Sequence, residues 1–141
     1  MIRAACIDDL PQIQTLVREG CAALPDNQAM RAELIEASIA GAVASGEKIF
    51  VCQQGDQVVG VCGWVQLPTN PEWVIASGTF VHPAFHRRGI ATQLYARALE
   101  HWKAAGALHV LASVAATNIA SLKLLESHGF SVSGIEMTKE I

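Results

Sequence analysis

The chain contains little charge and no segment with the composition of a disordered region. Asp, Glu, Lys and Arg together make up 16% of its 141 residues, whereas hydrophobic residues make up 51%. No low-complexity tract or run of like charge interrupts the sequence, which argues against a linker-rich assembly. The net charge of −3 lacks the excess of Lys and Arg that binding to nucleic acids or anionic membranes requires. We therefore expect one compact domain over residues 1–141, with neither nucleic acid nor membrane as a partner.

Long apolar runs and closely spaced metal ligands are also missing. The first residues reach Asp8 and Asp9 without the apolar stretch of a signal peptide, and no run approaches the ~20 residues that span a bilayer. The expectation is a cytoplasmic protein, monomeric or homodimeric. The cysteines, which have no CxxC spacing and no accompanying His pair, are Cys6, Cys21, Cys52 and Cys62. This spacing predicts reduced, mostly buried thiols and no bound metal.

Hydrophobic periodicity predicts an α/β (α+β) domain in the order β-α-α-β-β-β-α-β-α-β. Strands are predicted over Ile2–Ala5, Lys48–Cys52, Val58–Leu67, Trp73–Val81 and Leu108–Val114, with one or two more over Phe130–Ile141. Helices are predicted over Ile13–Leu24, Met30–Val43, Ile90–Lys103 and Asn118–His128. Asp8 or Asp9 is expected to cap the first helix. Together these segments predict a mixed central sheet of about six to seven strands.

The most informative segment joins a strand to the helix that begins after Gly89. A helix that starts at a glycine-containing loop leaves its first four N–H groups unpaired, with the positive end of the macrodipole behind them. Gly89 lets the backbone approach an anion closely, Ala91 keeps the next turn uncrowded, and Thr92 adds a hydroxyl. Arg87 and Arg88 would add charge-assisted contacts. The segment therefore predicts a pyrophosphate site held largely by the main chain.

Two other phosphate-binding motifs are absent from this segment. A dinucleotide fingerprint needs three glycines in GxGxxG and an acidic residue after the second strand, whereas this segment has one glycine and no such acid. A P-loop needs GxxxxGK followed by Ser or Thr, which the chain lacks. An ordinary strand-to-helix turn with solvated arginines remains the alternative interpretation.

Two motifs in this region resemble those of the GCN5-related N-acetyltransferases, the GNAT family. The family's cofactor motif reads Q/R-x-x-G-x-G/A after a strand ending in V-x-P, and it is matched by Val81-His82-Pro83 and Arg88-Gly89-Ile90-Ala91. A second motif, an Asn that opens a helix ending in Gly-Phe, is matched from Asn118 to Gly129-Phe130. The order of elements is also the family's order, so the resemblance covers essentially the whole chain.

The resemblance implies that acetyl-CoA lies in a V-shaped opening between two strands that begin side by side and then separate, here Trp73–Val81 and Leu108–Val114. The N–H groups near Phe80 and Val81 would bind the pantetheine arm and polarise the thioester carbonyl. The pyrophosphate would be held by His86, Arg87, Arg88, Gly89, Ile90, Ala91 and Thr92. The far side of the pantetheine would be contacted by Asn118 and Ser121.

Two departures from the family pattern affect the predicted chemistry. His86 replaces the usual Gln or Arg, which weakens one phosphate contact but leaves the main-chain site intact. Leu125 occupies the position of the tyrosine that many members use as general acid, so the proton must come from water, Ser121 or the substrate ammonium. The candidates for general base are Glu72, before the central strand, and His82, at its end. The alternative for Glu72 is a solvated loop carboxylate, and the alternative for His82 is a residue that serves only the turn.

The acceptor amine is expected to bind between the loop Leu24–Gln28, the strand around Trp64 and the loop before Trp73. The two tryptophans would line a pocket for an apolar or aromatic acceptor, or else pack in the core or at its rim. Acidic residues that would attract a cationic amine are Asp26, Glu33 and Glu72.

The resulting hypothesis is an acyl-CoA-dependent N-acyltransferase that moves an acetyl group to a primary amine by direct attack in a ternary complex. A covalent acyl-enzyme is disfavoured because no adjacent base or helix N-terminus is evident for Cys52 or Cys62. The main alternative, favoured by Leu125, is a non-catalytic acyl-CoA-binding or regulatory module. A structural domain without a ligand is the third possibility.

Overall fold

The computed structural model describes residues 1–23, 29–114, 117–135, 137, 139 and 141. Its strands are β1 (Ile2–Ala4), β2 (Phe50–Gln54), β3 (Gln57–Gln66), β4 (Trp73–Val81) and β5 (His109–Ala112). Its helices are α1 (Leu10–Ala22), α2 (Ala29–Ala44), α3 (Ile90–Ala104) and α4 (Ile119–Ser127), with 3₁₀ turns at Ile7–Asp9 and Pro83–Phe85. The predicted order of elements is confirmed as far as α4. No helix in these ranges combines the length and the apolar character needed to cross a bilayer.

The five strands form one mixed sheet in the order β1-β2-β3-β4-β5. β2 and β3 form the predicted hairpin, in which Gln54 pairs with Gln57 across Gly55 and Asp56. Neighbouring strands are antiparallel except β4 and β5, which run parallel because α3 crosses over between them.

The predicted six to seven strands are not confirmed. Within the last segment, residues 130–135, 137, 139 and 141 belong to no strand, and residues 136, 138 and 140 lie outside the described residues. Val132 and Ile135 are 77% and 86% exposed. Their side chains therefore lack the packing that favours β-branched residues in a sheet.

Helices cover both faces of the sheet. α1 and α2 pack on one face, where Ile39 is fully buried, and α3 packs on the other, where Leu94 is fully buried. Two glycines of β3 show this division, because a Cβ at Gly63 would meet Ile39, whereas a Cβ at Gly60 would meet Ile90 and Leu94. The sheet therefore separates two helical layers, and the apolar faces predicted for α1 and α3 are the buried ones.

Asp9 occupies the N-cap position of α1, but its carboxylate does not bond to a helix amide as predicted. It accepts hydrogen bonds instead from both terminal nitrogens of Arg3 and from the Cys6 amide, each at 2.8 Å. Asp9 is buried, so this bidentate pair fixes β1 to the start of α1. The Arg3 guanidinium holds the pKa of the Asp9 carboxyl at about 2, below its ordinary value of 3.8.

Candidate active site

β4 and β5 are paired only along the first part of β4. The parallel register runs from Trp73 opposite His109 to Ala76 opposite Ala112, where β5 ends. β4 continues to Val81 and is bonded there to β3 alone among the described strands. An opening therefore runs beside the second half of β4, in agreement with the prediction of two strands that begin side by side and separate.

A β-bulge lies where this opening begins. Trp64 is opposite Ala76 and Cys62 is opposite Thr79, so β4 carries one residue more than β3 between these two pairs. Gly78 lies in the bulge with a φ of 132°, a conformation that residues with a side chain rarely adopt. Because a bulge bends its strand and increases the twist, the separation of β4 from β5 has a local cause.

The direction of the backbone amides decides which of them face the opening. The amide of His82 donates to the Val59 carbonyl of β3 at 2.8 Å. Because amides alternate in direction along a strand, those of Val81 and Thr79 point into the opening, whereas that of Phe80 points toward β3. Phe80 therefore contributes its side chain to the opening rather than its amide.

Helix α3 starts at Gly89, which adopts a left-handed conformation with φ of 76° and ψ of 11°. The Gly89 carbonyl accepts the first bond of the helix, from the amide of Gln93 at 3.0 Å. The amides of Ile90, Ala91 and Thr92 have no acceptor within the described part of the chain. Three adjacent donors at the positive end of a helix are the arrangement that binds phosphate.

The side chains before α3 are held by local contacts. The Nε2 atom of His86 lies 2.7 Å from the Val81 carbonyl and ties the loop to the end of β4. The guanidinium of Arg88 lies over the Phe85 ring, 4.9 Å from its centroid. Arg87 has a φ of 61°, which is uncommon for a residue other than glycine. Neither arginine forms an ion pair with a described residue, so both charges are available to an anion.

His82 stabilises the turn that follows β4. Its Nδ1 atom accepts the amide of Ala84 at 3.1 Å and caps the 3₁₀ turn at Pro83–Phe85. His82 also lines a separate hollow beside α1, together with Gln12 and Glu19. The turn role considered for His82 is therefore present, and its role as a base stays a prediction.

The opening continues into a cleft that has helices on both sides. The α3 and α4 side contributes Ala91, Tyr95, Asn118, Ser121, Leu124 and Leu125. The α1 and α2 side contributes Cys21, Arg31 and Ile35. The cleft thus brings together four predicted cofactor residues, namely Phe80, Ala91, Asn118 and Ser121. Trp64, predicted near the acceptor, also lines the cleft but is only 2% exposed and packs mainly in the core on the α3 side.

Asn118 both starts α4 and faces the cleft. Its side-chain oxygen accepts the amide of Ser121 at 3.2 Å, and its carbonyl accepts the amide of Leu122 at 3.1 Å. This capping fixes the carboxamide and leaves its NH₂ group without a partner among the described residues. Leu125 follows Ser121 by one turn and presents an apolar side chain to the same cleft.

The single tyrosine of the chain lines the cleft at a place that the motifs did not indicate. Tyr95 lies one helical turn beyond Ala91 on α3, across the cleft from Leu125 on α4. Its ring stacks on His128 with 4.0 Å between centroids and meets Trp64 edge-on at 5.1 Å. Burial raises the pKa of Tyr95, so the phenol stays protonated at neutral pH. The i, i+4 spacing from Ala91 is the sequence signal that could have located it.

Arg31 is the second cleft residue that sequence reasoning missed. It lies in the first turn of α2, and its guanidinium donates to the carbonyl of Ser113, immediately after β5. No motif or periodicity marks this arginine in the sequence.

Glu72, a predicted base, and Trp73, predicted near the acceptor, do not line the cleft. Glu72 and Trp73 lie at the beginning of β4, about 30 Å from His82 at the strand's rise per residue. Glu72 and His82 therefore cannot act on the same atom. The Trp73 ring stacks on His109 with 4.5 Å between centroids. Asp26 lies outside the described residues.

The cysteines are free, with Cys21, Cys52 and Cys62 buried and Cys6 exposed, which confirms the prediction of mostly buried thiols. Burial raises the pKa of Cys62 to about 12, although a hydrogen bond from Thr79 opposes the shift. Burial also raises the pKa of Cys21. Both thiols therefore stay protonated at neutral pH. Across the described ranges, no group of three or more His, Cys, Asp or Glu side chains is arranged to hold a metal ion.

The sequence pattern of the Acetyltransferase (GNAT) family matches residues 12–130. The chain therefore belongs to this family. No curated protein sequence matches it.

Solved structures share the fold over nearly the whole chain. An N-acetyltransferase from Staphylococcus aureus Mu50 has a TM-score of 0.76 and 25% identity, covering 95% of this chain and 84% of its own. The protein yncA from Salmonella typhimurium, solved with its cofactor acetyl-CoA, has a TM-score of 0.77 and 20% identity, covering 95% of this chain and 80% of its own. The PaiA N-acetyltransferase from Thermoplasma acidophilum, solved with coenzyme A, has a TM-score of 0.79 and 15% identity, covering 96% of this chain and 92% of its own.

Proposed function

We propose that this chain binds acetyl-CoA in the cleft and transfers the acetyl group to a primary amine. The observation that carries the proposal is a set of unpaired amides along one opening, at the end of β4 and at the start of α3. Membership of the acetyltransferase family supports the activity, and the neighbours solved with acetyl-CoA or coenzyme A support the ligand. Residues 1–141 would act as one N-acetyltransferase domain.

The residues around the opening suit the chemical parts of coenzyme A. The α3 amides would bind the diphosphate, and the unpaired charges of Arg87 and Arg88 would strengthen that contact. Because the net charge of the chain is −3, these local cations rather than the overall field must attract the anion. The pantetheine arm would lie along β4, where the amide of Val81 lacks a strand partner. Asn118 and Ser121 would contact it from α4.

The chemistry requires one bond to form and one to break. Acetyl-CoA supplies an acetyl group activated as a thioester, to which a neutral amine adds while the carbon–sulfur bond breaks and its electron pair leaves on sulfur. The amides of Val81 and Thr79 would stabilise negative charge on the carbonyl oxygen as fixed donors. One proton must leave the nitrogen, and the thiolate takes one up, since a thiol has a pKa of about 8.5.

In this proposal Tyr95 replaces the tyrosine that is missing at Leu125. Its side chain lines the cleft, its ring is fixed between neighbouring aromatic rings, and burial keeps its pKa above the ordinary value. Ser121 is the other hydroxyl nearby. Because Glu72 and His82 do not line the cleft, water carries the proton away from the amine.

Calorimetry with acetyl-CoA tests binding, and thiol release with a panel of amines and amino acids tests turnover. Each reaction needs a blank without acceptor, because the exposed thiol of Cys6 also reacts with the detection reagent. No detectable binding at millimolar acetyl-CoA would refute the proposal. Binding without turnover on any acceptor would support the non-catalytic acyl-CoA-binding module that Leu125 favours.

A further inference from the structure

The α1 and α2 side of the cleft contains an arginine, Arg31, that forms no ion pair with any carboxylate among the described residues. Arg31 is half-buried and lines the cleft beside Cys21 and Ile35. Its guanidinium donates to the Ser113 carbonyl, which fixes the side chain at the place where the chain leaves β5. The guanidinium is therefore held where β4 and β5 have separated.

Arg31 is also the one charged residue among the described residues that line the cleft. The nearby carboxylate on α2, Glu36, is already paired with Arg18 at 2.7 Å. Glu33 lies on the exposed surface of α2 and does not line the cleft. A positive charge in this partly enclosed space attracts an anion and repels a cation.

The phosphates of coenzyme A are not the anions that fit this position. Their proposed site is the start of α3, which packs on the face of the sheet toward which Gly60 points. Arg31 belongs to α2, which packs on the opposite face, toward which Gly63 points. The two cationic positions therefore lie with helices on opposite faces of the sheet, on either side of the gap between β4 and β5.

We infer that the acceptor is a small amine that also carries a carboxylate, such as an α-amino acid, and that Arg31 binds this carboxylate. The inference rests on the proposed function and names its substrate class. A guanidinium has five N–H donors, so the bond to Ser113 leaves enough of them for a bidentate contact with a carboxylate. The apolar neighbours Ile35 and Phe80 favour an amino acid with an apolar side chain. A polyamine would bring positive charge against Arg31.

The test compares matched acceptors that differ only in the carboxylate. Leucine is compared with 3-methylbutylamine, and phenylalanine with 2-phenylethylamine, by thiol release at saturating acetyl-CoA. The expected kcat/KM is at least tenfold higher for the amino acid of each pair. Arg31→Gln should remove this preference mainly by raising KM for the amino acid, while Arg31→Lys should retain part of it. Lys103→Gln is the control, because it removes the same charge from an exposed site at the far end of α3.

Calorimetry with acetyl-CoA separates failure of this inference from failure of the proposed function. Arg31→Gln should bind acetyl-CoA with unchanged affinity, and weaker binding would assign Arg31 to the cofactor and overturn the inference. Equal or better use of the amines without a carboxylate would overturn it as well. If no acceptor is turned over, the inference is tested by the melting temperature, measured with coenzyme A present and with or without an amino acid. Leucine or phenylalanine must then raise Tm in the native protein but not in Arg31→Gln. If neither amino acid raises the Tm of the native protein, the inference is overturned.

Discussion

Replacing Gly89 separates the backbone requirement at the start of α3 from the binding of phosphate. Gly89 has a φ of 76°, and a Cβ there would meet no atom closer than Nε2 of Gln93 at 4.0 Å. A side chain therefore costs backbone strain rather than a clash, on the order of 1 kcal/mol, which lowers Tm by about 4 °C in a domain of this size. Gly106 has a φ of 93° and open space around it at the other end of the same helix. Gly89→Ala and Gly106→Ala should therefore lower Tm by similar amounts.

Affinity for coenzyme A should distinguish these two glycines. In Gly89→Glu a carboxylate would lie about 5 Å from the bound diphosphate, and at an effective dielectric constant of about 20 this costs about 3 kcal/mol. The Kd measured by calorimetry should rise more than a hundredfold, whereas Gly106→Glu should leave it unchanged. Wild-type affinity in Gly89→Glu, or equal losses in both variants, would show that the phosphate site does not lie at the start of α3.

Three further changes test other parts of the structure. Asp9→Asn should lose about 2 kcal/mol of stability at pH 7, because the Asp9 pKa of about 2 stabilises the fold above pH 3.8 and that stabilisation disappears as the pH falls toward 2. Denaturant unfolding at pH 7 and pH 2.5 checks this, and a constant difference between the proteins contradicts it. Tyr95→Phe should lower kcat about tenfold or more at pH 7 with unchanged acetyl-CoA affinity, and the deficit should shrink above pH ~8.5, where the thiolate leaves unaided. A deficit that is equal at every pH argues against proton donation. Gly20→Ala should destabilise the fold by about 1–3 kcal/mol, because its Cβ would lie 2.4 Å from the Phe80 ring, whereas a Cβ at Gly41 meets nothing within 4 Å. Equal Tm values for Gly20→Ala and Gly41→Ala would contradict this packing.

The parts of the site that depend on neighbouring residues could be predicted from the sequence. The start of α3 after Gly89 and the start of α4 at Asn118 are of this kind, because backbone conformation and capping depend on a few adjacent positions. The buried face of α3 follows from periodicity for the same reason. The family motifs added the expectation that the two strands begin side by side and then separate, and the register of β4 and β5, which ends at Ala76, agrees with it.

The parts that depend on distant residues could not be predicted. Arg31 is fixed by Ser113, 82 positions away, and neither residue has a local pattern that indicates the contact. Tyr95 follows Leu94 on α3, but its position opposite Leu125 depends on how α4 packs. The predicted final strands show the same limitation, because β-branched residues such as Val132 favour a strand only where a neighbouring strand and a packed surface exist.

The positions of the cations predict a sequential kinetic mechanism, in which both substrates are bound before the acetyl group is transferred. The arginines before α3 and Arg31 of α2 lie with helices that cover opposite faces of the sheet. Two anionic ligands bound at these positions would reach the gap between β4 and β5 from different sides, so neither must leave before the other binds. The pKa of about 12 for Cys62 also disfavours a covalent acyl-enzyme intermediate on that thiol. Double-reciprocal plots of initial rate against acceptor concentration, at several concentrations of acetyl-CoA, should therefore give lines that intersect. Parallel lines would indicate a covalent intermediate and would contradict direct transfer between two ligands bound at the same time.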